Sequence, residues 1–215
     1  MSSKTHMRIG VLALQGDFFE HERALKRLGF ETRQVRLPKD LDGLDGLIIP
    51  GGESTTIGKL AVQYGLVEPL RTMARSGKPM WGTCAGMIFL SNDVGRDQPL
   101  LGLLDVKVRR NAFGRQVDSF ETDLDVKGMG GTRPFHAIFI RAPLIESVGS
   151  EVDVLARIER SGDKAVVVAR QGNLLATSFH PELSGDDRFH RFFLTLRGNH
   201  RQRITLPTQT GLLYL

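Results

Sequence analysis

Cysteine is almost absent from this chain, which has one among its 215 residues, Cys84. A single cysteine cannot form an internal disulfide, and no apolar run approaches the ~20 residues that are needed to cross a bilayer. The first six residues are polar and lack the apolar core of a secretory signal. We therefore expect a protein of the reducing cytoplasm that does not associate with a membrane.

A strong excess of one charge is also missing from the body of the chain. The formal net charge is +5, but three arginines lie after residue 196 in a segment without acidic residues. No basic run alternates with aromatic residues, and neither a phosphate-binding Gly-Lys-Ser/Thr loop nor a Gly-x-Gly-x-x-Gly pattern follows an early strand. These absences argue against a nucleic-acid partner and against a dinucleotide site.

The composition is that of a globular domain, with 40% hydrophobic and 25% charged residues. The length is ample for one domain with its own core and short for two. We expect a single domain over residues 8–196, with terminal extensions at 1–7 and 197–215 that could be disordered.

In the first half of the chain, apolar runs alternate with segments of helical spacing. This rhythm predicts a parallel sheet with right-handed crossovers. The predicted strands are 8–14, 31–36, 44–50 and the run before Cys84, and the predicted helices are 18–28, 56–64, 67–75 and 85–90.

After residue 92 the pattern changes to short runs rich in Val and Phe, which predict a mixed or antiparallel extension. The predicted strands are 103–109, 117–126, 137–140 and 152–158, followed by a hairpin of 165–169 with 173–179 and a last helix over 186–196. The predicted fold is therefore α/β, with a mainly parallel central sheet flanked by helices and a mixed extension.

The segment Pro79 to Met87 reads as a short strand, a tight turn that carries Cys84, and the start of a helix. Gly82 and Gly86 flank the cysteine in a Gly-x-nucleophile-x-Gly pattern, because Cβ atoms there would block the strained turn. Helix amides just after a thiol favour the reactive thiolate. A buried structural cysteine is the other interpretation, and this segment alone leaves both open.

The segment Pro50 to Thr56, Pro-Gly-Gly-Glu-Ser-Thr-Thr, follows the third predicted strand at its carboxyl end, where open parallel sheets bind ligands. Its two glycines would let backbone amides turn toward an anion, and Ser54 or Thr55 is predicted to cap the next helix. Taken alone, the segment fits a plain capped loop better.

His180-Pro181-Glu182 follows another buried strand. A histidine that is oriented by a carboxylate is the partner that a cysteine nucleophile requires. Among the other histidines, His21 and His190 lie on predicted helices beside charged residues and His136 follows Pro134-Phe135 in a predicted loop, which argues against a catalytic role for each.

Together these motifs resemble the class I glutamine amidotransferases of the Cys-His-Glu type and, among them, the glutaminase subunit of pyridoxal 5′-phosphate synthase. The resemblance covers about residues 8–196. Gly-Thr-Cys-Ala-Gly and His-Pro-Glu specify only the class, whereas Gly-Gly-Glu-Ser-Thr-Thr and Asn-x-Phe-Gly-Arg-Gln-Val-Asp-Ser-Phe are more particular to this subunit. The matching segments are 14–16, 50–56, 82–86, 110–111, 113–120, 139–143 and 178–182.

The resemblance implies hydrolysis of L-glutamine to L-glutamate and ammonia. Cys84 would attack the amide, His180 would transfer the proton, and Glu182 would orient His180. The Gly51-Gly52 segment would bind the oxyanion, and the substrate-binding residues would be Gly52, Glu53, Ser54, Arg110, Ile140 and Arg141. An arginine suits this task because it can hold the substrate α-carboxylate with two hydrogen bonds.

The resemblance also implies a partner, the synthase subunit of a hetero-oligomer, which would receive the ammonia and switch on an otherwise nearly inactive glutaminase. No cofactor and no metal would be needed. Trp81 and Ala112 depart from the usual Phe and Ser of this family, the loop 127–134 is glycine-rich and distinctive, and the segment after Gly198 has no matching counterpart in the family.

Besides the glutaminase subunit of another amidotransferase, two further functions are alternatives. A cysteine hydrolase of the α/β-hydrolase type expects its acid between nucleophile and histidine in chain order, but Glu182 follows His180. A non-catalytic interaction module predicts that one of Cys84, His180 and Glu182 is missing, and all three are present.

Overall fold

The computed structural model describes residues 7–110, 119–131, 133–160 and 163–196. The strands are β1 Arg8–Leu12, β2 Glu31–Val35, β3 Gly46–Ile49, β4 Met80–Thr83, β5 Ser91–Asp93, β6 Leu104–Arg109, β7 Ser119–Leu124, β8 Phe135–Ile140, β9 Leu144–Val148, β10 Asp153–Arg160, β11 Asp163–Gln171 and β12 Leu174–Thr177. The helices are α1 Phe18–Arg27, α2 Ser54–Gln63, α3 Val67–Arg75, α4 Ala85–Leu90 and α5 Arg188–Thr195, with 3₁₀ helices at Pro38–Leu41 and Pro181–Leu183.

Ten strands form one mixed sheet in the order β2-β1-β3-β4-β12-β11-β9-β6-β5, with β10 paired to β11. Strands β2, β1, β3, β4 and β12 are mutually parallel. The pairs β12–β11, β11–β10, β11–β9 and β9–β6 are antiparallel. Strands β7 and β8 form a separate antiparallel pair. The predicted parallel sheet with a mixed extension is confirmed.

Both faces of the inner parallel strands β1, β3, β4 and β12 are buried, and successive side chains of each strand point to opposite sides of the sheet. Leu47 and Ile49 of β3 pack into one core with α2, α3 and α4, whereas Ile48 packs into the other with α1 and α5. Trp81 of β4 is fully buried in the second core, where its ring lies 5.6 Å from that of Phe193. Such continuous burial explains the near-uniform apolar runs of these strands.

Several boundaries differ from the prediction. Strands β5 and β9 and the two 3₁₀ helices were not predicted, and β8 begins at Phe135, so His136 lies on a strand and not in a loop. Helix α2 begins at Ser54 and its N-cap is Glu53, whose side chain accepts from the amides of Thr55 and Thr56. The prediction that Ser54 or Thr55 caps this helix is therefore wrong.

Some predictions lie outside the described residues. These are the motif residues 111–118 and the predicted terminal extensions, except that Met7 is described and buried in the second core. Among the described residues, no helix is long and apolar enough to span a membrane.

Candidate active site

Three neighbouring parallel strands, β3, β4 and β12, end at the same edge of the sheet. Gly82 of β4 is the register partner of Ile49 in β3, and Thr83 is the partner of Thr177 in β12. The segments that follow these strands therefore meet: Gly51-Gly52 after β3, Cys84 after β4, and His180 after β12. This is the edge at which open parallel sheets bind ligands.

Cys84 lies on a strained turn between β4 and α4. Its φ of 49° and ψ of −106° are rare for a residue with a side chain, and its amide donates to Thr177 O at 2.8 Å. A Cβ at Gly82 would lie 2.5 Å from the Gly86 backbone, and one at Gly86 would overlap the Ile49 carbonyl. The flanking glycines are thus required sterically. Cys84 is 7% exposed and lines a cleft.

His180 connects Cys84 to Glu182. The Nδ1 atom of His180 lies 2.7 Å from Glu182 Oε1, and His180 lines the same cleft as Cys84. Burial acts to lower the pKa of His180, but hydrogen bonds and charge interactions with Cys84 and Glu182 outweigh it and raise the pKa to about 10. Burial raises the pKa of Glu182, while His180 opposes that rise.

The Gly51-Gly52 segment lies against the histidine. A Cβ at Gly51 would lie 3.0 Å from His180 Nδ1, and Gly52 has a φ of +152° that favours glycine. The Gly51 carbonyl accepts from the amide of Asp17 at 3.2 Å, and Gln15 Oε1 accepts from the amide of Glu53 at 2.7 Å. These contacts hold the glycine segment in one orientation.

The cleft above Cys84 has a volume of about 530 Å³. All six residues predicted to bind substrate line it, together with Cys84 and His180: Gly52, Glu53, Ser54, Arg110, Ile140 and Arg141. Glu182 lies behind His180 and does not line the cleft.

The charged groups of the cleft are partly ordered before any substrate is bound. Arg110 donates to Glu53 Oε1 at 3.1 Å and to Gln98 Oε1 at 3.1 Å. Burial acts to raise the pKa of Glu53, but hydrogen bonds from Thr56 and Thr55 lower it to about 2. The cleft therefore presents a stable carboxylate as well as guanidinium groups.

Among the described residues, Asp17, His180 and Glu182 could hold a metal ion, because their ligand atoms lie within 4.8 Å of one another. A metal on His180 Nδ1 would replace its 2.7 Å hydrogen bond to Glu182. Hydrogen bonding to Glu182 and metal binding at this atom thus exclude each other.

Two histidines whose sequence context argues against a catalytic role lie behind Glu182. His21 of α1 and His190 of α5 are both fully buried. His21 Nε2 lies 3.3 Å from Glu182 Oε2, and His21 Nδ1 lies 3.0 Å from His190 Nε2. The sequence spacing could have indicated that His21 is buried, because His21 lies three residues after Phe18 and four before Leu25, on the apolar stripe of its helix.

Comparison with known proteins identifies the class. The sequence model of the SNO glutamine amidotransferase family matches residues 11–197, and the chain belongs to this family. It is 58% identical to the pyridoxal 5'-phosphate synthase subunit PdxT of Herpetosiphon aurantiacus over 88% of this chain and 100% of that protein. Identity to the same-named subunit of Thermus thermophilus is also 58%, over 88% and 97% of the two chains.

Solved structures agree with this assignment. A crystal structure of a glutamine amidotransferase superposes with a TM-score of 0.82 at 53% identity, over 88% of this chain and 98% of that one. The structure of PurLQS from Thermotoga maritima superposes with a TM-score of 0.67 at 19% identity, over 89% and 99% of the chains, and shows the fold alone. The predicted family and fold class are confirmed.

Proposed function

We propose that this chain hydrolyses L-glutamine to L-glutamate and ammonia and supplies the ammonia to the synthase subunit of pyridoxal 5′-phosphate synthase. The observation that carries the proposal is that Cys84 and His180 line one cleft with Arg110 and Arg141, while Glu182 lies behind His180 at 2.7 Å from its Nδ1 atom. The relatives named PdxT support the choice of partner.

In the proposed reaction, the thiolate of Cys84 attacks the side-chain amide carbon of glutamine. His180 gives its proton to the amide nitrogen, the C–N bond breaks, and ammonia leaves a glutamyl thioester on Cys84. A water molecule then gives a proton to His180 and its oxygen attacks the thioester. Glutamate is released and the thiolate–imidazolium pair is restored, while Glu182 holds His180 throughout.

Substrate binding follows from the charges of the cleft. Free glutamine has an α-carboxylate and an α-ammonium group, which need a cation and an anion respectively. Arg110 is already engaged with Glu53 and Gln98, so we assign the carboxylate mainly to Arg141. Glu53 is the anion of the cleft and, with the nearby Gly52, Ser54 and Ile140, would hold the rest of the substrate.

The Gly51-Gly52 segment would stabilise the oxyanion of the tetrahedral intermediate. The loss of one such donor typically reduces the rate by about 10²–10³. Since the contacts from Asp17 and Gln15 fix the segment in one orientation, we propose that docking of the synthase rotates it into the productive one.

A cytoplasmic location also stays a prediction, and it accords with a reactive free thiol.

The test is glutamate release from glutamine by the purified chain, measured with and without the synthase subunit. We expect a low rate for the chain alone and a large increase when the synthase is added. High activity of the isolated chain would contradict the switch, whereas no activity in the complex would contradict the glutaminase itself.

A further inference from the structure

Behind Glu182 lies a row of buried polar groups that the reaction described above does not use. His21 Nε2 lies 3.3 Å from Glu182 Oε2 and 3.2 Å from Thr83 Oγ1, and His21 Nδ1 lies 3.0 Å from His190 Nε2. The side chains of His21 and Glu182 are 0% exposed. The row begins at the triad and ends at α5, on the side of Glu182 away from the cleft.

Burial lowers the pKa of His21 well below its usual range and lowers that of His190 to about 4. Each ring is therefore neutral near pH 7 and carries one N–H. Among the described residues, two buried side-chain polar atoms have no hydrogen-bond partner, Glu182 Oε2 and His190 Nδ1. His21 Nε2 is hydrogen-bonded to Thr83 Oγ1 at 3.2 Å and lies 3.3 Å from Glu182 Oε2, a contact that falls short of hydrogen-bond geometry.

One placement of the protons on the two histidine rings leaves no buried N–H donor of either ring without an acceptor. With a proton on Nε2, His21 points an N–H at the Glu182 carboxylate, and its Nδ1 accepts from His190 Nε2–H. The atom left over is His190 Nδ1, an acceptor. With the proton on Nδ1, a lone pair of His21 would face the carboxylate and His190 Nδ1–H would be a buried donor without an acceptor, which is the rarer and costlier case.

We propose that His21 is a positioning residue for the reaction, which keeps Glu182 ionised and oriented through its Nε2–H, and that His190 fixes the tautomer of His21. The inference rests on the proposed glutaminase function. Glu182 needs such a donor because its burial favours the neutral acid, and a neutral Glu182 could not support the imidazolium of His180.

The surrounding charges do not provide this support. Asp17 faces the site and its charge disfavours an ionised Glu182, and the charge of His180 opposes this effect. On the far side, Asp187 and Arg27 act on His190 with opposite signs and are bound to each other at 2.7 Å. The backbone amide of Glu182 also favours its charged form, and a neutral N–H from His21, 3.3 Å from Oε2, would add to this support.

The first test uses the unmodified chain and needs no activity. Nitrogen NMR of ¹⁵N-histidine-labelled protein at pH 7 distinguishes protonated from unprotonated ring nitrogens. We expect the Nε2–H tautomer at both His21 and His190. An Nδ1–H tautomer or a charged ring at His21 would overturn the proposal, whether or not the chain is a glutaminase.

The second test measures glutaminase kinetics of the complex with the synthase over a range of pH. His21→Leu should lower kcat by about 10- to 100-fold with little change in the glutamine KM, since a small misplacement of a reacting group has that effect. The variant should also shift the acidic limb of the pH profile of kcat/KM to higher pH. Without the N–H of His21, the charged form of Glu182 is less stable and the pKa of Glu182 rises.

His21→Gln places an amide N–H near the position of Nε2, so it should recover most of kcat and return the acidic limb toward the wild-type position. A residue that only fills space would not show this rescue. The control is His136→Leu, at an exposed position of strand β8, which should leave both parameters unchanged. An active wild type with an unaltered His21→Leu profile would overturn this proposal alone, and an inactive wild type would instead overturn the proposed function.

Discussion

Thr83 and Thr177 are register partners in the neighbouring parallel strands β4 and β12. Cys84 follows the first of these residues directly, and its amide donates to the carbonyl of Thr177 at 2.8 Å. His180 follows the second after two further residues. The pairing of two strands that are far apart in the chain thus brings the sulfur to the imidazole, and a change in this register would separate them.

Cys84→Ala should abolish glutamate release by at least about 10³-fold, because no other group can form the thioester. The substitution removes a small buried side chain, so the fold and the binding to the synthase should persist. The measurement is glutamate release by the complex, with complex formation followed by size-exclusion chromatography. A variant that still turns over would place the nucleophile elsewhere.

Gly51→Ala tests the close packing of the glycine segment on the histidine. The new methyl group would meet the His180 ring, with Nδ1 at 3.0 Å, and displacement of the ring should lower kcat by about 100-fold. The matched control is Gly77→Ala, at a φ of +83° with nothing within 4 Å of the new Cβ.

Gly77→Ala should cost about 1 kcal/mol of stability through its left-handed backbone and leave kcat unchanged. Glutaminase kinetics of the complex and urea denaturation separate the two effects. Equal kcat values for the two variants would remove Gly51 from the site.

The parts of the fold and site that could be predicted are those with a local signal. The strand before Cys84 is short and begins with the large apolar residues Met80 and Trp81, and the flanking glycines mark the turn. His180 and Glu182 are two residues apart at the end of a buried strand. The geometry of the turn at Cys84 and of the His180–Glu182 pair is determined by residues that are close in sequence.

The missed features depend on long-range contacts. Strand β9 (Leu144–Val148) has exposed Glu146 and Ser147 next to each other, so its residues do not alternate as a half-buried strand should. It is defined by its pairing with β6 and β11. His21 lies beside Glu20 and Glu22, which suggested an exposed face, and its burial depends on α5 at the other end of the chain.

The ionisation of His180 gives a further prediction. Its pKa is raised from 6.5 to about 10, so the ring should stay protonated through neutral pH and titrate far above the usual histidine range. Cys84→Ala removes a hydrogen bond and a charge that favour the imidazolium and should lower this pKa. Carbon NMR of the labelled Cε1 atom across pH 5–11 measures the pKa of His180 in the wild type and in the variant. A wild-type midpoint near 6.5 would contradict the raised pKa of His180.

Arg141 should contribute mainly to substrate affinity. It lines the cleft with Cys84, and its φ of +43° shows that the backbone adopts an unfavourable conformation where this side chain enters the site. Arg141→Ala removes charged hydrogen bonds to the α-carboxylate, each worth about 1.5–3 kcal/mol, so the glutamine KM should rise by about 10- to 100-fold while kcat falls less. The control is Arg75→Ala on the exposed surface of α3, which should change neither parameter. If KM stays the same in Arg141→Ala, then Arg110 must hold the carboxylate, and its contacts with Glu53 and Gln98 must open when glutamine binds.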